Sequence, residues 1–173
     1  LEELGILRRV IPLWSKRGYY RISDPLTRTW FHLIEPILEV LEAEDYESAL
    51  SYVLSNLDHH ASQTFEEVAQ QYLMQLRAQG KLKFTELGKF IHKGVEIDLV
   101  AIDHPSKTAH LFEVKWKALK PRDVKSIAMQ LARKATYLPL RDYSFTYHII
   151  AREARLPTPR PDLQLHTIRE MPL

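Results

Sequence analysis

Two carboxylates stand where the sequence otherwise asks for burial. The segment Val95-Glu96-Ile97-Asp98-Leu99-Val100-Ala101 has the length and β-branched content of a buried strand, and Glu96 and Asp98 share one of its faces by the two-residue period. An ionised carboxylate is expensive to bury unless it is paired or holds a cation. The next apolar segment reads Leu111-Phe112-Glu113-Val114-Lys115-Trp116, and Glu113 and Lys115 again fall on one face. Paired antiparallel, the two strands would gather Asp98, Glu113 and Lys115. With a main-chain carbonyl, such carboxylates can hold Mg²⁺ or Mn²⁺ through hard oxygen ligands. The cation lowers the pKa of a bound water, and the lysine positions that water and offsets charge in a phosphorane-like transition state. The reaction class is phosphodiester hydrolysis. Glu-x-Lys is a weak motif by itself. Its weight comes from context, since the one copy in the chain closes a hydrophobic strand just after a hairpin whose other strand carries Asp98.

The elements that must position these residues are legible from spacing. Phe65, Val68, Ala69, Tyr72, Leu73 and Leu76 recur at three and four residues, predicting an amphipathic helix from Gln63 to near Gly80. Three strands are predicted next, at 90–93, 95–102 and 109–115, turning at Lys93-Gly94 and His104-Pro105-Ser106, as an antiparallel meander. Pro121 opens a second helix carrying Val124, Ile127, Ala128, Leu131, Ala135 and Leu138. Strands at 144–151 and 163–168 follow, around a proline-rich linker at 156–161. The order from Gln63 is αβββαββ, an α+β domain of α/β/α type. Before it, Leu1 to Gly5 reads as the end of a helix, and 6–10 and 19–22 as a hairpin around Lys16-Arg17-Gly18. Ser23-Asp24-Pro25 then opens a long connecting helix with Leu26, Trp30, Phe31, Ile34, Leu38 and Leu41 at helical spacing.

Composition narrows the function classes. The chain has 173 residues, 45% of them hydrophobic, and a formal net charge of +2, which suits a globular domain with a small appendage. The absence of cysteine excludes disulfides, thiol nucleophiles and Cys-ligated metal. No His-x-x-x-His pair points to zinc, and no Gly-x-Ser-x-Gly to a serine hydrolase. No apolar run reaches membrane-spanning length and no signal-peptide pattern opens the chain, which fits a cytoplasmic setting. The net charge is an average, acidic over residues 1–60 and basic beyond. Lys115, Lys117, Lys120, Arg122, Lys125, Arg133 and Lys134 face one acid, Asp123, over twenty residues. Such a cluster is either a solvated helix face or a track for nucleic-acid phosphates.

Asp98, the fourteen residues after it and Glu113-x-Lys115, set in the order αβββαβ, resemble the PD-(D/E)XK nuclease superfamily, with its restriction-endonuclease-like core. That resemblance implies an acid on the first helix, matching Glu66 (preferred to Glu67 because it follows Phe65), and a glutamine on the helix after the lysine, matching Gln130. A narrower resemblance rests on Tyr19-Tyr20-Arg21-Ile22-Ser23-Asp24-Pro25-Leu26-Thr27-Arg28-Thr29-Trp30-Phe31, Phe65-Glu66, Glu96-Ile97-Asp98 and Phe112-Glu113-Val114-Lys115-Trp116. These strings are similar to the C-terminal region of archaeal-type prokaryotic P-loop ATPases, where a winged helix precedes a PD-(D/E)XK-like domain. The resemblance implies a truncated winged-helix tail over 1–24, a helical connector over 25–62 and a nuclease-like domain over 63–173. No Gly-x-x-x-x-Gly-Lys-Ser/Thr occurs here, so an ATPase module would lie elsewhere in a parent chain.

The expectation is a Mg²⁺- or Mn²⁺-dependent domain acting on DNA, with Asp98 and Glu113 on the metal, Lys115 on the water, and Glu66 and Gln130 assisting. Lys16, Arg17, Arg21, Lys117, Lys120, Arg122, Lys125, Arg133 and Lys134 would contact phosphates. The alternatives are an inactive module of the same fold that docks DNA or protein and regulates the ATPase, and an oligomerisation domain.

Overall fold

The computed structural model describes residues 1–155 and 161–171. Most of the proline-rich linker expected at 156–161 lies outside the described residues. The chain divides into two compact units, one formed by Leu1–Val10 and Arg17–Thr64, the other by Ile11–Lys16 and Phe65–Leu173.

In the first unit, β1 (Leu7–Val10) and β2 (Tyr19–Ile22) pair antiparallel, Leu7 opposite Ile22. Leu1–Gly5 is not the end of a helix. It is a turn in which the Gly5 amide donates to the Glu2 carbonyl, and Gly5 takes φ +70, which costs glycine nothing. The single helix expected from Pro25 is also corrected. It starts well, with Asp24 capping Thr27 from the N-cap position of α1 (Pro25–Thr29), but passes through a π turn (Trp30–Ile34) and a 3₁₀ turn (Glu35–Ile37) before α2 (Leu38–Glu42). Pro36 lacks the N–H and crowds the preceding turn, so the α pattern cannot run through it.

The helix expected from Gln63 starts much earlier. As α3 it runs 33 residues, Tyr46–Ala78. Its middle, Asp58 to Thr64, is polar enough to suggest a boundary, yet no proline or glycine interrupts 46–78. Its end is set by Gly80 at φ +69, with the Lys81 and Leu82 amides turned back onto the Leu76 carbonyl.

The second unit is a mixed α+β layer built on the C-terminal half of that helix and one five-stranded sheet. The strands β3 (Glu86–His92), β4 (Val95–Asp103), β5 (Thr108–Leu119), β6 (Ser144–Ala154) and β7 (Leu163–Thr167) lie in that spatial order. The β3–β4 and β4–β5 pairs are antiparallel. The β5–β6 and β6–β7 pairs are parallel, and α4 (Pro121–Ala135) makes the crossover from β5 to β6. Each face of the sheet carries its own core. Phe65, Ala69, Tyr72 and Leu73 of α3 pack on Leu99, Ala101, Phe112, Val114 and Ile150. On the opposite face, Leu131 and Ala135 of α4 pack on Ile97, Val100, Ile102 and Leu111, and Val124 and Ala128 pack on Ile149 and Ala151. The segment Ile11–Lys16 joins this unit through Leu13, whose amide donates to the Lys89 carbonyl at 2.8 Å and whose side chain packs where a Cβ on Gly88 would otherwise sit.

Candidate functional site

Asp98 sits where the sheet becomes irregular. Gly88 pairs with Val100 but Phe90 pairs with Ile97, so β4 carries one extra residue against β3, a bulge at Asp98 and Leu99 opposite Lys89. The β4–β5 ladder also ends at Leu99, which pairs with Phe112. A bulge re-aims the side chain it carries. Asp98 uses that freedom to replace the missing ladder acceptor, taking the Val114 amide on its Oδ2 at 2.7 Å.

Glu113 is buried, 7% exposed, on the β5 face opposite Phe112 and Val114, which serve the α3-side core. Each of its oxygens has its own ammonium: Oε1 accepts from Lys115 Nζ at 2.8 Å and Oε2 from Lys134 Nζ at 2.7 Å. Lys115 Nζ also lies 3.8 Å from Asp98 Oδ2, so the lysine bridges the two carboxylates. Asp98, Glu113 and Lys115 therefore come together as the strand pattern required.

Burial is the main force raising the Asp98 pKa, to about 6, with the Glu113 charge adding to it and Glu66 contributing; Lys115 and the Val114 N–H pull the other way. For Lys115, burial pulls downward. The Glu113 hydrogen bond and the charges of Asp98, Glu113 and Glu66 outweigh it, leaving the ammonium more basic than an ordinary lysine. Lys115 is thus a standing positive charge at neutral pH. It can donate hydrogen bonds to a water or a phosphate oxygen but cannot serve as a general base.

Glu66, on α3, reaches this cluster through its field on Asp98 and Lys115 while it pairs with Lys89 at 3.3 Å; Lys89 also pairs with Glu96 at 2.6 Å. Glu96 is half exposed and serves as a salt-bridge partner. Gln130 does not lie on the apolar face of its helix. It is exposed, one helical turn before Lys134 on the flank beside the buried stripe of Val124, Ala128, Leu131 and Ala135. Lys89 was not singled out by sequence reasoning, and Lys134, expected there only as a phosphate contact, pairs with Glu113 in the cluster itself. Lys134 had a signal, since it stands between the core positions Leu131 and Ala135 and must lie near the sheet.

The basic residues scatter. Arg122, Lys125 and Arg133 are exposed and share the outward face of α4, as helical spacing requires. Lys117 is exposed near the end of β5, and the Lys120 amide donates to Asp123 Oδ2 at the start of α4. Lys16 is exposed in the second unit; Arg17, also exposed, belongs to the first. Arg21 is half-buried and donates to the Gln63 carbonyl at 2.9 Å, so it has a structural task. Among the described residues no helix is long and apolar enough to cross a membrane. Nor do three or more His, Asp or Glu side chains converge among them as a metal cage.

Residues 30–127 match the DUF234 family, described as archaeal and bacterial proteins of unknown function. A protein of Methanocaldococcus jannaschii, itself uncharacterized, is 35% identical over 159 residues, which is 88% of this chain and 36% of that relative. The chain therefore spans about a third of the relative's length. No solved structure matches.

Proposed function

The chain belongs to the DUF234 family of archaeal and bacterial proteins, and for this member we propose metal-dependent phosphodiester hydrolysis of DNA by a PD-(D/E)XK nuclease-like domain within a longer, ATPase-containing protein. The observation that carries the reading is the strained acidity of Asp98, pushed up to about 6 inside a buried set with Glu113 and Lys115. Two neighbouring carboxylates held by desolvation and mutual repulsion are what a divalent cation relieves. Mg²⁺ binds through one or two carboxylates and keeps the rest of its shell as water, so a pair suffices where a cage is absent.

Asp98 and Glu113 would hold the ion, which when bound supplies an acidified water and charge compensation for the phosphate. Asp98 is anchored for this by the Val114 amide on one oxygen. Lys115, kept protonated by its neighbours, orients the attacking water or a non-bridging phosphate oxygen. Glu66 contributes negative potential, held in place by Lys89. The exposed Arg122, Lys125 and Arg133 suit sequence-independent contact with phosphates.

A second reading, an inactive docking module of the same fold, is favoured by Lys134. Its ammonium already satisfies Glu113 Oε2, as an internal cation would. Calorimetric titration of Mg²⁺ and Mn²⁺, run beside nicking of supercoiled and linear DNA, separates the two. The catalytic reading expects saturable metal binding that Asp98→Ala abolishes, and cleavage that is lost with it. Absent binding, or binding equally strong in the variant, sinks it. DNA binding without metal binding, weakening as salt rises, would establish the docking module.

A further inference from the structure

On the α3 side of the sheet, away from Asp98, lies a cavity of about 720 Å³ between α3, β6, β7 and the 3₁₀ turn Ile168–Glu170, within the size range of small-molecule sites. Lys81 and Arg169 supply positive charge to its lining, and Gln75, Gln79 and Gln164 supply amides that can both donate and accept. The lone acid, Glu170, already accepts from the Thr167 amide at 2.9 Å and its hydroxyl at 3.1 Å. The lining therefore suits an anion with further polar groups.

One wall of the cavity is the end of a buried hydrogen-bonded chain. Tyr72 Oη lies 3.2 Å from His166 Nδ1, His166 Nε2 lies 3.1 Å from His148 Nδ1, and His148 Nε2 lies 3.0 Å from His110 Nδ1. Tyr72, His148 and His166 line the cavity, and the Phe112 ring stacks on His148 at 4.3 Å. Burial, the first cause for each ring, keeps all three imidazoles neutral at pH 7. A neutral imidazole has one N–H and one lone pair, so every bond in the chain must point the same way. In one direction Tyr72 donates to His166 and the chain ends with the proton of His110 on Nε2. In the other, His166 donates to Tyr72, whose own O–H then points into the cavity. Switching from the first to the second takes up one proton at Tyr72 from the water or ligand in the cavity and gives one up to water at His110 Nε2, so every ring stays neutral.

We propose that this cavity binds a phosphate-bearing small molecule of nucleotide size, with Lys81 and Arg169 balancing its charge and Tyr72 donating to it through reversal of the imidazole chain. The amides fit the sugar or base edge of such a ligand. Reversal moves the protonated position of His148 from Nε2 to Nδ1, so occupancy of the cavity is reported at a buried ring of its wall.

The test is titration of the whole chain with AMP and with inorganic phosphate, followed by calorimetry and by ¹⁵N NMR of the histidine ring nitrogens. Saturable binding of both is expected, tighter for AMP, with the His148 Nδ1 and Nε2 resonances exchanging protonated and unprotonated positions. Lys81→Ala with Arg169→Ala, both at exposed positions, should weaken AMP by about tenfold or more. Tyr72→Phe keeps the ring that packs in the core and should leave AMP binding weakened and the His148 tautomer unresponsive. Failure of both ligands to bind, undiminished binding to the double variant, or binding that leaves the His148 pattern unmoved would overturn the proposal.

Discussion

Replacing Asp98 by Asn should make the protein more stable, and only where the native carboxyl would be ionised. The Asp98 pKa rises from 3.8 to about 6, chiefly through burial and then the Glu113 charge. Two units at about 1.4 kcal/mol each set a ceiling of about 3 kcal/mol on the penalty carried by the ionised group. Because folded Asp98 binds its proton more tightly than the unfolded chain does, that penalty is absent below pH 3.8. It grows between 3.8 and 6, and is complete above 6. Asn keeps an oxygen for the Val114 amide and removes the charge. The variant should therefore gain about 2–3 kcal/mol at pH 8, roughly 5–10 °C in Tm for a chain of this size, and almost nothing at pH 4. Circular-dichroism melts of both proteins in EDTA at pH 4, 6 and 8 measure the difference. Mg²⁺ should then raise the wild-type Tm and leave the variant's unchanged. A variant less stable than wild type at pH 8, or a gain of equal size at pH 4, would show that Asp98 is not held in an unfavourable ionised state, and the reasoning would fail.

Glu113→Gln should act in the opposite sense, costing about 2 kcal/mol in denaturant unfolding at pH 7. It strips the charged partner from Lys115 and Lys134, whose side chains are only 38% and 25% exposed. Lys134→Met keeps most of the packing of the stem and frees Glu113 Oε2; it should strengthen Mg²⁺ binding several-fold by calorimetry, and unchanged affinity would mean that the ammonium does not compete for that oxygen. Acid should destabilise the fold, because burial lowers the pKa of His110 and His166 and takes that of His148 down to about 2. The stability these neutral rings retain above pH 6.5 is lost as pH falls below it, by up to about 1.4 kcal/mol per pH unit for each ring that stays neutral. His148→Gln should flatten that slope by one ring's share between pH 6 and 4, read from urea midpoints; an unchanged slope would place the acid lability elsewhere. This histidine background is common to wild type and the Asp98 variant, so it cancels from their difference.

The second unit was legible in the sequence to the extent that its periodicities were pure. The two-residue alternation around Glu113 and the three-and-four spacing of Val124, Ala128, Leu131 and Ala135 each name one buried face. The structure uses those faces as written, whereas around Asp98 the alternation breaks and Ile97 and Leu99 pack on opposite faces. Periodicity fails where a local rule is broken by one residue. Pro36 splits an otherwise continuous helical pattern, and the polar run before Phe65 hides the continuity of α3 because polarity resembles a loop when no breaker is present to decide. The bulge at Asp98 has no composition signal, since an inserted residue is defined only by what lies opposite it in another strand.

The same distinction explains which site residues could be found. Asp98, Glu113 and Lys115 announced themselves as charges on apolar strands, an anomaly visible in one dimension. Lys89 and Lys134 are ordinary lysines until the fold brings them to Glu66, Glu96 and Glu113. The imidazole chain is harder still, because His110, His148 and His166 lie on three strands and Tyr72 on a helix, and only the parallel register of β5, β6 and β7 lines them up. One sheet thus carries two polar systems on opposite faces. One is built from charges that repel until a cation or an ammonium separates them, the other from neutral rings that stay uncharged because they are buried. A site of the first kind trades stability for the chance to bind a metal, whereas a chain of the second kind contributes stability and yields only to acid. The Asp98 and His148 variants should therefore shift stability in opposite senses over the same pH window, the Asp98 variant gaining on wild type as pH rises from about 4 to 6 and the His148 variant gaining on it as pH falls through that range. That opposition of sign is the sharpest physical signature of the two kinds of burial in one domain.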